Sequence, residues 1–526
     1  MNYLAVSYLF FFLPLTVIIY HFAKKKYKWR VLLLASYIFF FLISGNLLIY
    51  LLFTTLSIHH FGLWFDRIDK ELAGALELAD DKKAIKEEYK KKKKKILFLG
   101  VLIQVGLLAV FKYLPFGIIN INYLLKFCHV GFKIPFVKLL ASIGISFYTL
   151  EALSYMIDVY NKKIEADTNL GRLALYLAFF PSIMEGPIAR YSEVADRLYE
   201  GRDITYKNIS FGSQRILWGI LKKFIVADRL NVIVKLIFNG SSYDGGLALF
   251  GAICYTIMLY MEFSGTIDVV IGSAEIFDVK LPENFRQPFF AKNISEFWTR
   301  WHITLGTWFK DYIFYPVSLS RKMKKLTIKA RHGLGNLYGP ILVGGIALLC
   351  VWLLNGLWHG AGWNYIFFGL YHFVLILSGS LIEPTVKKVT TKLHINRNNP
   401  IYRIFTFLKL FILVVIGELF FRANTLRDGF NLFNSIIMNF TLKSFKSGEF
   451  LRLGLDKGDF IIIAVTLIIV FFVGILRERK VPIRDTIAKQ NIVVRWVIYY
   501  AIIMFILIFG AYGAGYKPVD PIYANF

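Results

Sequence analysis

The sequence predicts an all-α polytopic membrane protein, and three observations carry that prediction. Of the 526 residues, 56% are hydrophobic and 17% aromatic, more apolar surface than a soluble chain of this length can hide. Several apolar runs reach the length of a bilayer crossing. The basic residues gather beside those runs, at 24–30, 90–95, 321–331 and 477–489, as they do in loops kept on the cytoplasmic side of a membrane. The ten-residue alternating segments of a β-barrel are absent. This clustering accounts for the net charge of +27, so the charge does not point to nucleic acid, and membrane lipids are the expected partners.

The elements follow in order. Residues 3–21 lack a basic stretch before them and a small-residue cleavage site after them, so they read as a retained span and not as a signal peptide. The "KKKYKWR" that follows puts the N-terminus outside. Residues 31–65 exceed one crossing, and "SGN" at 44–46 can divide them into two antiparallel helices. Residues 66–95, with "DDKKAIKEEYKKKKKK", read as a solvated juxtamembrane helix. Spans follow at 96–113 and 137–158. Residues 171–184 are apolar but short, and "EGPIAR" breaks the run. Irregular backbone at membrane depth is tolerated only when buried in protein, which makes this a re-entrant candidate. Residues 208–238 are amphipathic, with Lys222 and Lys223 partway along. The apolar run 246–277 is interrupted by Glu262, Ser264, Gly265 and Asp268.

Residues 278–336 are polar enough for the cytoplasmic side, and later spans fall near 337–356, 361–382, 401–421, 458–476 and 493–514. The count is about eleven to thirteen transmembrane or re-entrant helices, with the C-terminus outside. The organisation is one integral membrane domain: N-terminal spans in 1–136, a core in 137–426 and C-terminal spans in 427–526. Cys128, Cys254 and Cys350 have no metal or redox spacing, and the nine histidines are scattered, so no metal site is expected.

Two segments carry candidate chemistry. Residues 293–317, "NISEFWTRWHITLGTWFKDYIFYPV", read as one amphipathic helix, with Asn293 as N-cap and Glu296 in capping-box position. Ile294, Phe297, Trp298, Trp301, Leu305, Trp308, Phe309 and Tyr312 share its apolar face. Arg300, Thr304, Thr307, Lys310 and Asp311 lie elsewhere on the wheel, and His302 borders the stripe, either as an interfacial histidine or as the lining of a path. The second segment is "NGLWHGAGWNY" at 355–365, where His359 sits between Trp358 and Trp363 among Gly356, Gly360 and Gly362. The residues leave two readings open: a wet turn with belt tryptophans, or a desolvated imidazole that stays neutral and accepts a proton.

The pairing of "FWTRWHITLGTWFKDYIFYPV" with "GLWHGAGWNYIFFGLYH" resembles the membrane-bound O-acyltransferase family. The blocks "SFYTLEALSYMIDVY", "FFPSIMEGPIAR", "YMEFSGTIDVVIGSAEIFDVKLPENFRQPF" and "ELFFRANTL" extend the resemblance over residues 146–426, in order. Within the family the chain is most similar to the branch that O-acetylates alginate and other polysaccharides, with teichoic-acid D-alanylation as the competitor. The resemblance implies helices around a central tunnel, with His359 as the catalytic histidine and His302 as the second characteristic histidine. Arg300, Trp301, Lys310, Asp311, Trp358 and Asn364 would support or line the tunnel. It further implies acetyl-CoA as donor with no tightly bound cofactor, an extracytoplasmic partner of the SGNH type, a polysaccharide acceptor and a place in the cell membrane. The alternative from another class is a transporter or flippase, for which buried Glu262, Asp268 and Glu418 would serve as well.

Overall fold

The computed structural model describes residues 2–78, 80–137, 139, 142–240 and 244–512. Eight described helices are long and apolar enough to cross a membrane: Lys25–Glu77, Lys82–Phe127, Gly245–Ile276, Arg321–His359, Trp363–Lys392, Pro400–Arg422, Lys457–Glu478 and Ile492–Phe509. A shorter apolar helix covers Ser7–Phe22. Among the described residues the only β pairing is an isolated antiparallel bridge between Phe285 and Trp301. The chain is therefore an all-α polytopic membrane protein. The expected span at 137–158 begins, and the one at 493–514 ends, partly outside the described residues, as does the C-terminus whose side the sequence assigned.

Local chemistry explains several boundaries. The first long apolar stretch divides at "SGN": Lys28–Ser44 stops at Gly45, whose φ of 55° suits glycine, and Leu48–Glu77 follows one 3-10 turn later. Lys82–Phe127 runs 46 residues and takes in the lysine run that the sequence reads as solvated. That reading fails at Lys93, which is buried. Its ammonium meets Asp69 at 2.6 Å and lies over the Phe65 and Tyr160 rings, 5.7 and 5.5 Å from their centroids. Asp69 on the preceding helix draws Lys93 inward, while Glu71 pairs with Lys92 at the surface, an arrangement that charge runs alone do not reveal.

The described residues form two compact units. One holds the chain up to Ile216 together with Ile267–Pro282; the other holds Leu217–Thr266 and the chain from Glu283 onward. In the first, the helix Leu170–Ala178 gives way to an irregular stretch, and residues 179–190 are all buried. Buried backbone needs partners, and side chains supply them here. The Tyr3 hydroxyl donates to the Phe180 carbonyl and accepts from Met184 N–H, both at 3.0 Å. Ser36 Oγ accepts from Phe180 N–H at 3.0 Å, and Tyr176 donates to the Ala189 carbonyl at 2.9 Å. Gly144, at φ 77°, passes so close to Ile183 that a Cβ would stand 2.1 Å from its carbonyl oxygen.

In the second unit, the polar interruptions of Gly245–Ile276 find their partners on the amphipathic segment before it. Lys223 meets Asp228 at 2.7 Å and Glu262 at 2.6 Å, and Lys222 donates to Ser264 at 2.9 Å. Both lysines lie on a π-helical turn, Lys222–Ala227. Arg229 ties in the C-terminal helices through Asp459 at 2.8 Å and the Phe509 carbonyl at 2.6 Å. Asp268 belongs to the first unit, where it pairs with Arg215 at 3.0 Å. Buried charges in a membrane protein are costly unless paired, and these are paired.

Candidate active site

The segment 293–317 is not one helix. Ile294–Arg300 and Ile303–Phe309 are separate helices, divided by Trp301 and by His302 in the left-handed region at φ 45°, ψ 52°. Nothing in the local pattern signals a break, because no glycine or proline stands there. The cause is the strand-like run 284–286. Arg286 N–H bonds to the Arg300 carbonyl at 2.9 Å and Ile303 N–H to the Asn284 carbonyl at 3.0 Å, on either side of the Phe285–Trp301 bridge. These bonds take backbone groups that helix continuation would need. The N-terminus forms as read, with Asn293 Oδ1 accepting from Glu296 N–H at 2.8 Å, but the Glu296 carboxylate reaches back to Lys292 N–H at 2.9 Å and not to Asn293.

Asn284 fixes His302. Its Oδ1 accepts from Thr304 N–H at 3.1 Å and from the Thr304 hydroxyl at 3.0 Å. An atom that accepts from a backbone N–H is the oxygen, so His302 Nδ1, 3.2 Å away, carries a proton and donates to it. The basic lone pair therefore sits on Nε2. The ring is 3% exposed, and burial pulls its pKa down to about 3, which keeps it neutral at physiological pH. Phe263 packs edge-on against it at 4.9 Å.

His359 is the last residue of Arg321–His359 and is 6% exposed, so the wet-turn reading does not hold. Its ring packs edge-on against Trp358 and Phe421, each with centroids 5.0 Å away, and against Phe368 at 6.1 Å. Trp358 also touches His302 at 5.6 Å. The neighbouring glycines serve close approach and not a left-handed turn. A Cβ on Gly356 would stand 2.4 Å from the Tyr365 carbonyl oxygen, and one on Gly360 2.2 Å from the Tyr365 ring. They let Arg321–His359 and Trp363–Lys392 pack nearly backbone to backbone.

Both histidines line a cavity of about 400 Å³ within this unit. Its lining holds residues of three kinds. Ser295, Thr299, Thr307 and Lys310 are exposed. Trp298, Trp301, Leu305, Phe309, Leu348, Val351 and Trp352 supply an apolar wall. His302, Asn355 and His359 are its buried polar groups. Such a cavity accepts a slender chain with a reactive end and keeps water from that end.

Of the residues the sequence nominates, the structure gathers His302, His359, Trp301 and Lys310 around this cavity and packs Trp358 on both imidazoles. Arg300 does not line it. Arg300 clamps Glu296 at 2.8 Å and Glu478, at the end of Lys457–Glu478, at 2.6 Å. Asp311 is exposed and outside the lining, and Asn364 is buried, donating to the Ala423 carbonyl at 3.1 Å. Three residues escaped the sequence reading. Asn284 lies in "LPENFRQPF" and Asn355 opens "NGLWHGAGWNY", one turn before His359. The third, His372, is fully buried, and its Nδ1 accepts from Trp298 Nε1–H at 3.2 Å. The i, i+4 spacing of Asn355 and His359 was the available signal; Asn284 and His372 offered none.

Comparison with known proteins accords with this architecture. The family model described as "MBOAT, membrane-bound O-acyltransferase family" matches residues 161–332. The "Probable alginate O-acetylase AlgI" of Pseudomonas putida is 33% identical over 431 residues, 82% of this chain and 79% of that protein. The "Peptidoglycan O-acetyltransferase" of Helicobacter pylori is 28% identical over 65% of this chain and 64% of its own length. The "Teichoic acid D-alanyltransferase" of Bacillus subtilis is 32% identical over 48% of this chain and 62% of its own. The protein is thus a membrane-embedded acyltransferase of the O-acetyltransferase kind. The chain belongs to the membrane-bound O-acyltransferase family, in the branch that includes the alginate O-acetylases.

Proposed function

We propose that the protein moves an acetyl group from cytoplasmic acetyl-CoA toward an extracytoplasmic acceptor, for O-acetylation of a cell-surface or secreted polysaccharide. The observation that carries this reading is the cavity, lined by exposed Lys310 and by two buried imidazoles among apolar walls. A thioester arm fits the apolar lining, while Lys310 offers a cation to the donor's phosphates. His359 acts as general base. It takes the proton of an acceptor hydroxyl as that oxygen attacks the thioester carbonyl; the tetrahedral intermediate collapses, the C–S bond breaks, and the leaving thiolate takes that proton back from the imidazolium, which restores the neutral base. The products are an acetyl ester and free CoA. His302, neutral and with its lone pair on Nε2, is suited to accept a hydrogen bond or to relay that proton. The expected setting is the cell membrane with both termini outside, and the expected partner is a separate extracytoplasmic protein of the SGNH type that completes transfer to sugar.

A second reading, D-alanyl transfer from a carrier protein, is favoured by the likeness to the Bacillus subtilis D-alanyltransferase. That likeness covers 48% of the chain, against 82% for the P. putida O-acetylase, which favours acetyl transfer. Membranes containing the protein, supplied with labelled acetyl-CoA or with D-alanyl-charged carrier, separate the two. Label is expected to leave acetyl-CoA, and His359→Gln should slow this by about 10²–10⁴-fold. Label transferred only from the charged carrier, or unchanged transfer by His359→Gln, would overturn this account.

A further inference from the structure

Asn355 is a buried polar side chain that the chemistry above does not use. It lies one helical turn before His359 on Arg321–His359, lines the same cavity, and is 8% exposed. Its Oδ1 has no hydrogen-bond partner among the described residues. Leaving an amide oxygen buried and unpaired is destabilising, so the cavity is built with an acceptor that protein does not satisfy. The neighbouring wall is formed by Trp352, Val351 and Leu348 from the same helix, and none of the three donates to this oxygen.

The position of this acceptor matches a feature of thioester donors. Asn355 and His359 project from one face, separated along the axis by about 6 Å. In a phosphopantetheine arm the first amide N–H lies two carbons beyond the sulfur. Four single bonds separate that nitrogen from the thioester carbonyl carbon, about 5 Å in an extended arm. An arm laid along this helix with its carbonyl at His359 thus presents its only nearby donor at Asn355. We propose that Asn355 is a donor-binding residue whose Oδ1 accepts the cysteamine amide N–H of the acyl donor and thereby sets the register of the thioester carbonyl against His359. This rests on the acetyl-CoA reading given above.

The test compares two donors in the full-length protein: acetyl-CoA, and an analogue in which an ester oxygen replaces that one N–H. Wild type should prefer acetyl-CoA by about tenfold in kcat/KM, the size expected for one buried hydrogen bond. In Asn355→Leu the preference should fall to about one, with the loss borne by acetyl-CoA, whereas Asn355→Asp, which keeps an acceptor, should retain it. A residue that only supports the fold would lower both donors together and leave the ratio intact. The inference is overturned if Asn355→Leu keeps the preference, or if wild type uses acetyl-CoA without any. If wild type uses neither thioester, the acetyl-CoA reading itself fails and takes this inference with it. Should Asn355→Leu not fold, Asn355→Ser, too short to reach the arm, makes the same comparison.

Discussion

Substitution of Asn284 by leucine tests whether the break at His302 is imposed by tertiary contacts. Leucine has the same branching and number of side-chain heavy atoms as asparagine but removes the oxygen that receives Thr304 N–H, the Thr304 hydroxyl and His302 Nδ1–H at 3.0–3.2 Å. The hydroxyl can rotate to another acceptor, but the two N–H groups cannot. At about 1–3 kcal/mol each, their burial without partners costs roughly 2–6 kcal/mol. The left-handed conformation of His302 adds about 1–3 kcal/mol, which these bonds hold in place together with the backbone pairing to 284–286. The sum is enough for 301–304 to rearrange, carrying the imidazole out of the cavity. Acetyl transfer, followed as thiol released from acetyl-CoA, should then fall to the rate of His302→Gln, and the double variant should be no slower than either single one. Asn284→Asp keeps the acceptor and should keep the ring in position. Its carboxylate beside Nδ1 favours the imidazolium, so the pKa of His302 rises from its depressed value near 3. A neutral ring is then available only at higher pH, and the acid limb of the pH–rate profile should move upward. A wild-type rate in Asn284→Leu, or a double variant slowed by the product of the single effects, would refute the reasoning.

Two further predictions concern the frame of the site. Lys223→Met removes the ammonium that meets Asp228 at 2.7 Å and Glu262 at 2.6 Å, and the detergent-solubilised protein should lose about 3–5 kcal/mol of stability. Adding Glu262→Gln, which restores the charge balance, should return most of it in the same melting experiment; no recovery would mean that packing, and not charge, is at stake. Gly417→Ala puts a methyl 2.7 Å from His372 Nε2 and 3.1 Å from its Cε1. Because His372 holds Trp298 in the cavity wall, the expected result is a loss of about 1–3 kcal/mol with a raised KM for the donor; an unchanged KM would argue against this link.

Much of the architecture was legible because single segments determine it. A run of some twenty apolar residues has one stable solution in lipid, so the later spans fall within a few residues of their sequence positions, apart from basic extensions such as 321–331, which stays helical up to Gly335. "SGN" stops a helix by its own chemistry, and Asn293 caps one. His359 was recognisable because an ionisable residue among tryptophans and glycines in an apolar stretch needs a reason to be there.

The sequence by itself determined that this chain is a bundle of membrane helices and which two histidines to watch. Only the tertiary structure decided how those rings are held. The break at His302 comes from backbone pairing with residues 284–286, and its tautomer comes from Asn284, eighteen residues away. The buried lysines 222 and 223 make sense only against Ser264, Asp228 and Glu262. Helix-forming patterns act over one or two turns and can be read along the chain. Desolvation, ion pairing and hydrogen-bond satisfaction depend on what the folded chain brings alongside, and no local pattern encodes them.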